Sequence, residues 1–489
     1  MSKLVMHFSA KTLTSSTMAP HNMLTTRTAR LAARLFRETL CFRCQRRLVS
    51  SSYPPTLTIG SQTYPTDSWT NTPSSILAAI PRKLHLQDSH PLALTRSLIE
   101  SRFPRYTSHT TLPAVVTTHQ NFDSLSFPPN HPGRSPSDTY YINSSTVLRT
   151  HTSAHQADLF RASNSPFLIA ADVYRRDAID RSHYPVFHQI EGAHTWSMSS
   201  SSIAEIRAET EAIPAPPVRI EVEDTNPPFH AQRNPLQAQH DPELTTAMAA
   251  HLKRSLEGLI GTVFARAPRP ASQANEPIKA RWVEAYFPFT SPSWELEVLY
   301  QGSWLEILGC GIVQHSILDG AGAGDRAGWA FGLGLERVAM LLFGIPDIRL
   351  FWSTDERFLG QFRGLGMEGA WPRFEAFSKY PACYKDVAFW VAEHTGSTAG
   401  GGGAGPAPSA TTAGFHENDV MELVRGVGGN IVEDVRLVDE FRHPKTGRRS
   451  LCYRINYRSL ERTLTNEEVN GLHEGVRREL VEKLGVELR

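Results

Sequence analysis

Residues 172–192 of this 489-residue chain read DVYRRDAIDRSHYPVFHQIEG and bring several reactive side-chain types into a short span. Arg175 carries a planar five-donor fork that grips a phosphate or carboxylate through paired hydrogen bonds, which a lysine cannot imitate. Phe187, Gln189 and Glu191 follow at alternate positions of PVFHQIEG. In a strand their side chains share one face, and His188 and Ile190 point to the other. A carboxylate and an amide two residues apart, beside a bulky ring, make a grip for a small ammonium group. The competing reading leaves Gln189 and Glu191 on a solvated face and pairs an arginine with Asp177, for which Arg176 is better placed.

A second arginine stands in GLGLERVAM (332–340), where glycines run into a segment bearing Val338, Leu341 and Leu342. The third glycine of a dinucleotide fingerprint is replaced by Arg337, and neither a βαβ unit nor a ribose-binding acid accompanies it. The alternative is a helix packed close to a sheet by its glycines, with Arg337 in the first turn aimed at a nucleotide. The chain has no Gly-x-x-x-x-Gly-Lys phosphate loop and no Gly-x-Ser-x-Gly elbow, and HEGVR at 473 lacks the second histidine of a zinc peptidase. Cys41 and Cys44 form a CxxC without a second pair, and five cysteines over this length make no disulfide framework. YFPFTSPS sets Phe287 and Phe289 on one face of an expected strand stiffened by Pro288, either as core or as walls around an aromatic ligand.

Positioning these residues takes two or three domains, because the chain is too long for one ordinary core. Residues 1–50 are a different material: nine Lys or Arg against the single acid Glu38, with Arg27, Arg30, Arg34 and Arg37 at helical spacing. That composition reads as a mitochondrial transit peptide, against the alternative of a basic arm on nucleic acid. With the whole chain at +1, the remainder is net acidic, so any nucleic acid must be met by a local basic patch. No apolar run approaches the ~20 residues of a membrane-spanning helix.

Residues 51–79 read as an irregular lead-in. A helix is expected in 90–104 with Pro91 in its first turn, and a strand at TYYIN. Next come a helix opened by Thr152 or Ser153 and a long-looped hairpin of FLIAADVYR and PVFHQIEGAHTW. Proline-rich residues 205–240 read as a surface insertion. A helix over 242–265 follows, then strands in RWVEAYFPFT, SWELEVLY and SWLEILGCGIV. Beyond the glycine-led helix, the low-complexity loop 396–414 interrupts a βαββα sandwich, in which Thr465 and Glu468 form a capping box. The expected class is α+β.

Taken in order, these features resemble motifs 2 and 3 of the class II aminoacyl-tRNA synthetases: an arginine ending a hairpin strand, a long loop, a Phe before a ligand strand, then Gly-Leu-Gly-Leu-Glu-Arg opening a helix. HTSAHQ, DVYRRDAIDRSHYPVFHQIEG, YFPFTSPS, WLEILGCG and GWAFGLGLERVAMLLFGIPDIRLFW are similar to the phenylalanine-specific branch in its single-chain mitochondrial form. FSKYPACYKDVAFW resembles the start of that branch's ferredoxin-like anticodon-binding domain. The resemblance covers residues 80–489 apart from the insertions. It implies an antiparallel-sheet catalytic domain over 80–375 and a ferredoxin-like domain over 376–489.

It also implies roles. Arg175 would hold the α-phosphate of ATP and Arg337 the γ-phosphate, both as catalytic groups. Ser182, His183, Tyr184 and Glu306 would surround the nucleotide, Glu306 through Mg²⁺, and Phe187 would stack on adenine. Ser153, Ala154, His155, Gln156, Gln189, Ile190 and Glu191 match positions that hold the amino acid, with Phe287, Phe289 and Phe331 near its ring. The implied reaction makes phenylalanyl-adenylate from L-phenylalanine and ATP. It then esterifies a terminal ribose of phenylalanine tRNA, in the mitochondrial matrix and by a monomer. Two competing classes are an adenylate-forming ligase that uses no tRNA and a synthetase-like module that only binds RNA. The intact set of Arg175, Arg337 and Glu191 argues against the second.

The C-terminal part supplies a basic patch. Arg442, Lys445, Arg448, Arg449, Arg454, Arg458 and Arg462 fall within twenty-one residues opposed only by Glu461. In YRINYR, Tyr453, Ile455 and Tyr457 face one way and Arg454, Asn456 and Arg458 the other, so Arg454 and Arg458 are the expected tRNA-phosphate contacts. The alternative is a solvated face paired with Asp439 and Glu440.

Overall fold

A computed structural model describes residues 53–267, 276–366, 371–377, 380–391 and 415–489. The basic leader, Cys41, Cys44 and the low-complexity loop lie outside the described residues. Eight strands form the central sheet: β1 (Thr107–His109), β2 (Phe167–Tyr174), β3 (Val186–Ser197), β4 (Ile220–Glu223), β5 (Ile278–Glu284), β6 (Thr290–Tyr300), β7 (Ser303–Val313) and β8 (Arg326–Gly334). Their order is β1-β2-β3-β8-β7-β6-β5-β4. All neighbours are antiparallel except the two end pairs, β1 with β2 and β4 with β5.

Strand alternation gives this sheet two different faces. On the back, Leu168, Ala170, Ile190, Trp329, Phe331 and Leu333 enter the main core. They pack with helices α1 (Pro91–Glu100), α3 (Pro242–Arg266) and α4 (Leu335–Phe343). On the front, Ile169, Ala171, Ala193 and Ala330 form a smaller cluster with Val313. Alanines on that face leave depth for a ligand.

The helices begin where the sequence provides caps. His90 accepts from the Leu92 backbone with Pro91 in the first turn of α1, and Asp241 accepts from Glu243 and Leu244 at the start of α3. In α3, Leu244, Met248, Leu252, Leu256, Leu259 and Val263 are buried at the helical period. Helix α4 follows β8 without a loop and ends at Gly344, whose φ of 66° is the left-handed cap conformation.

The C-terminal sheet contains β9 (Cys383–Trp390), β10 (Val432–Arg442), β11 (Arg449–Tyr457) and β12 (Glu487–Leu488), with helices α5 (Glu417–Gly428) and α6 (Asn466–Leu484) on one face. Its order is β10-β11-β9-β12. Tyr453, Ile455 and Tyr457 face the helices, as alternation required, and Thr465 caps α6 by accepting from the Glu468 backbone at 3.2 Å. The short β12 completes a βαββαβ ferredoxin fold.

This unit docks on residues 175–184 of the first. Glu433, 1% exposed in its side chain, accepts from Arg181 Nε at 2.8 Å and from Asn456 Nδ2 at 2.8 Å. Ile179 sits in the C-terminal core, where its carbonyl accepts from Val435 N at 3.0 Å. Arg176 pairs with Asp419 at 3.0 Å rather than with Asp177.

Four local expectations need correction. The lead-in contains a hairpin, Thr56–Ile59 with Gln62–Pro65. The insertion supplies the edge strand β4, and its first residues belong to helix α2 (Ser200–Ala212). Residues 285–289 link β5 to β6 instead of extending a strand, because Phe287 and Thr290 close a tight bridge. Thr152 and Ser153 do not cap a helix: they lie within a 3-10 turn (Thr152–His155), and their hydroxyls are used elsewhere.

Candidate active site

Glu191 lies mid-strand on β3, opposite Gly332 of β8, and is only 3% exposed. Thr152 Oγ1 and Ser153 Oγ donate to its Oε2 at 2.8 and 2.5 Å, and Gln156 Nε2 donates to Oε1 at 2.7 Å. Gln189 Oε1 accepts from the Thr152 backbone at 3.3 Å. All three of Glu191's donors are neutral, so the carboxylate is buried without a counter-charge. Burial raises its pKa, and the three hydrogen bonds oppose that rise. Beside it the floor is open: nothing lies within 4 Å of where a Cβ would stand on Gly332 or Gly334.

The aromatic wall stands over the same face. The Phe287 ring covers Gly309 so closely that an added Cβ would meet its Cζ at 2.6 Å. Phe287 and Phe289 stack with centroids 5.9 Å apart and 12° between planes, and Phe289 packs on the Ala193–Ala330 cluster. Phe331 and Ile190 do not join them. Phe331 stacks on Phe103 at 5.4 Å in the back-face core, and Ile190 is buried there too. Each is one residue out of phase with Glu191 or its partner Gly332, which puts the side chain on the other side of the sheet. The methyl of Ala154 packs in a satellite core with Phe122 and Val147. His155 Nε2 is 3.1 Å from Arg149 Nη1, a donor-only group, and burial lowers the pKa of this imidazole to about 4.

At the other end, Arg175 follows β2 and lies over the Phe187 ring, 5.3 Å from its centroid, with Nε donating to Thr150 O at 2.7 Å. Nearby in sequence, Arg149, Asp172 and Tyr174 form a buried network in which Asp172 accepts from both partners. Arg337 is aimed by its neighbour. Glu336 is buried against β3, accepting from His188 N at 2.8 Å and bonding its Nδ1 at 2.7 Å. This turns Arg337 to the front, where Nη1 donates to Glu306 O at 2.7 Å and lies 3.7 Å from its carboxylate. The register joins the two arginines: Gln189, two residues after Phe187, pairs with Gly334, which leads directly into α4. Both arginines therefore stand at the same end of the sheet. His183 shares it; its hydrogen bond to Asp180 raises its pKa, and the charge of Arg337 opposes the rise. Ser182 Oγ donates to the same Asp180. Tyr184 is turned away, stacked on Trp352 with its hydroxyl donating to Asn430.

Three carboxylates stand on one face near Arg337, because Glu297 pairs with Glu306 and Glu295 with Gly309. Burial first, then Glu306 and Glu297, push the pKa of Glu295 to about 7, with Arg337 opposing. Glu295 was not singled out from the sequence, where it is one more acid in an alternating strand. Hard oxygen donors fit Mg²⁺, which keeps waters and needs only one or two protein carboxylates beside substrate phosphates. Because the folded pKa is raised, the native state keeps a proton that the unfolded chain has lost between pH 4.5 and about 7. Stability therefore falls as pH rises through that window. Glu295→Gln is expected to melt like the wild type at pH 4 and higher than it at pH 8, as differential scanning fluorimetry will read.

On the open face of the C-terminal sheet, Arg454 donates twice to Asp386, at 2.8 Å each, beside Tyr384, which is 62% exposed. Arg458 is not on that free surface. Its Nη1 lies 3.4 Å from Glu433 Oε1 and its carbonyl accepts from Arg349, so it belongs to the domain contact. At the other end of the face Trp390 lies under Arg448 and Arg489, at 5.2 and 5.8 Å.

The fold and the cleft agree with what the chain matches. Residues 77–200 and 251–362 match the family profile "tRNA synthetases class II core domain (F)", and residues 378–489 match "Ferredoxin-fold anticodon binding domain". Among curated relatives, "Phenylalanine--tRNA ligase, mitochondrial" of Saccharomyces cerevisiae is 44% identical over 91% of this chain and 97% of its own length. The mouse protein of the same description is 42% identical over 88% of this chain and 89% of its own. The "chloroplastic/mitochondrial" protein of Arabidopsis thaliana is 42% identical over 86% and 83%. The chain belongs to the class II aminoacyl-tRNA synthetases, within the family of single-chain mitochondrial phenylalanine–tRNA ligases.

Proposed function

We propose that this chain is a mitochondrial phenylalanine–tRNA ligase, activating L-phenylalanine with ATP and passing it to phenylalanine tRNA. The observation that carries the reading is Glu191: a buried carboxylate with three neutral donors and no cation, on the strand whose register sets Arg175 and Arg337 at one end of the sheet. Phenylalanine-dependent exchange of pyrophosphate into ATP is the test, and its absence would overturn the reading. An adenylate-forming ligase without tRNA would show that exchange but would leave tRNA uncharged.

In the first step the substrate carboxylate attacks the α-phosphorus and pyrophosphate leaves. Arg175 stabilises charge that grows on the phosphate oxygens, and so lowers the barrier more than it tightens ATP. Glu191 and Gln189 hold the ammonium and fix the attacking carboxylate in line. Arg337 and His183 serve the outer phosphates, and Phe187 the adenine. Glu306, with Glu295, would hold Mg²⁺, which supplies charge neutralisation across the phosphates. A terminal ribose hydroxyl of the tRNA then attacks the adenylate carbonyl, and AMP leaves.

Residues 80–375 serve as the catalytic domain and 376–489 as the anticodon-binding domain. The basic leader acts as the transit peptide, directing a monomer to the matrix. The wall of Phe287, Phe289 and Ala330 offers an apolar pocket, and such a pocket rejects an added hydroxyl only about 10²-fold. Tyrosine activation at roughly that ratio is expected in pyrophosphate exchange; discrimination several orders greater would sink the apolar-pocket account. Arg454→Ala is expected to weaken tRNA binding and reduce its salt slope by about one. Arg458→Ala is expected to leave that slope unchanged, since its side chain is engaged by Glu433.

A further inference from the structure

The segment between the two matched synthetase stretches builds a second cavity, on the back of the catalytic sheet. Phe103, Tyr106, Glu209, Ala212, Pro214 and His251 are among the residues that line it, and it encloses about 440 Å³. Glu209 and Ala212 belong to α2, so the insertion side of the chain makes half of this site.

Its polar groups are unevenly satisfied. Arg102 lines the cavity half-buried, and among the described residues its guanidinium has no hydrogen bond or ion pair. Burial alone lowers its pKa. The backbone makes room for it at Gly258 of α3, where a Cβ would stand 2.8 Å from Nη2. A half-desolvated fork without an acceptor is a site for an anion. Glu209 accepts from Trp196 Nε1 at 3.0 Å, and its other oxygen lies 3.5 Å from the exposed Arg105. Arg105 also lines the cavity, so Arg102, Arg105 and Glu209 together leave one net positive charge, which a single carboxylate neutralises.

A metal is the rival occupant, because ligand atoms of His194, Glu209 and His251 lie within 4.8 Å of one another. The hydrogen bonding opposes it. Trp329 Nε1 donates to His251 Nδ1 at 3.1 Å, so the imidazole proton sits on Nε2. A metal-binding imidazole needs the reverse, an outer N–H donating to an acceptor. Phe103, Ala212 and Pro214 are instead suited to an organic body.

We propose that this cavity binds a small monocarboxylate with an apolar or aromatic body, its carboxylate on the Arg102 fork and its body between Phe103 and Ala212. Two sources share that chemistry: a free amino acid, whose ammonium would meet Glu209, and a simple organic acid.

The test uses the full chain with its catalytic cleft filled by a non-hydrolysable phenylalanyl-adenylate analogue, so that no free phenylalanine competes at the second cavity. 3-Phenylpropanoate is titrated while indole fluorescence is followed, since Trp196 and Trp329 contact the polar wall. Saturable binding is expected in the wild type, weakened about ten- to a hundred-fold in Arg102→Gln and abolished in Ala212→Trp. Both variants should retain wild-type pyrophosphate exchange. Leucine binding more tightly than 4-methylpentanoate, with the difference lost in Glu209→Gln, assigns the amino acid; equal binding assigns the simple acid. The proposal falls if 3-phenylpropanoate does not saturate in the millimolar range or binds Arg102→Gln as well as wild type. It also falls if inorganic phosphate displaces the probe equally well, or if Zn²⁺ binds at a site lost in His194→Ala.

Discussion

Glu191→Gln is expected to lower kcat/KM for phenylalanine-dependent pyrophosphate exchange by about 10²–10³-fold, the cost of removing one partner of a buried charge pair, with KM for ATP little changed. The carboxylate is buried among Thr152, Ser153 and Gln156, all neutral donors. A substrate ammonium is therefore the first full charge it meets. Its raised pKa adds a pH signature. The free enzyme holds the Glu191 proton into a range where an exposed glutamate has lost it, and binding the ammonium requires that proton to leave. Phenylalanine affinity should therefore increase as pH rises above the ordinary carboxylate range. Glutamine, with nothing to ionise, should remove that increase. Steady-state exchange across pH tests both parts, and an unchanged pH dependence in the variant would assign the ammonium to another group.

Arg175→Lys is expected to cost about 10²–10³-fold in kcat for adenylate formation, on the scale of deleting a preorganised donor to a developing oxyanion. The effect on ATP binding should be smaller. The charge survives this substitution but the fork does not. Arg175 is positioned by Thr150 O on one side and by the Phe187 ring beneath it. A lysine has no planar face to lie on that ring and cannot offer paired N–H groups in a fixed geometry. Single-turnover formation of the adenylate separates this loss from any change in product release. A variant that lost only ATP affinity would show the arginine to be a binding group rather than a catalytic one.

The cleft was legible in the sequence wherever its chemistry sits on a regular element. Alternation in PVFHQIEG sorted Phe187, Gln189 and Glu191 from His188 and Ile190, and the structure keeps that sorting. The same rule applied to β8 would have removed Phe331, since it lies one residue from Gly332. Thr152 escaped because nothing local distinguishes it from the hydroxyls beside it; only the approach of the 3-10 turn to β3 makes it a ligand of Glu191. Glu295 escaped because its raised pKa comes from Glu297, Glu306 and burial, and Glu306 faces it only across paired strands. Arg458 was misplaced for the opposite reason: alternation gave its face correctly, but that face meets Glu433 rather than solvent.

By itself, then, the order of residues determined the reactive groups and the faces they occupy, because strand and helix periods are local consequences of backbone geometry. Tertiary structure decided which groups are desolvated, which are paired and which share a cavity. Those properties depend on atoms remote in the chain: Glu191 upon Thr152 and Gln156, Arg337 upon Glu306, and Arg102 upon a glycine in a distant helix. Burial and charge pairing are sums over such neighbours, and no short stretch of sequence contains them.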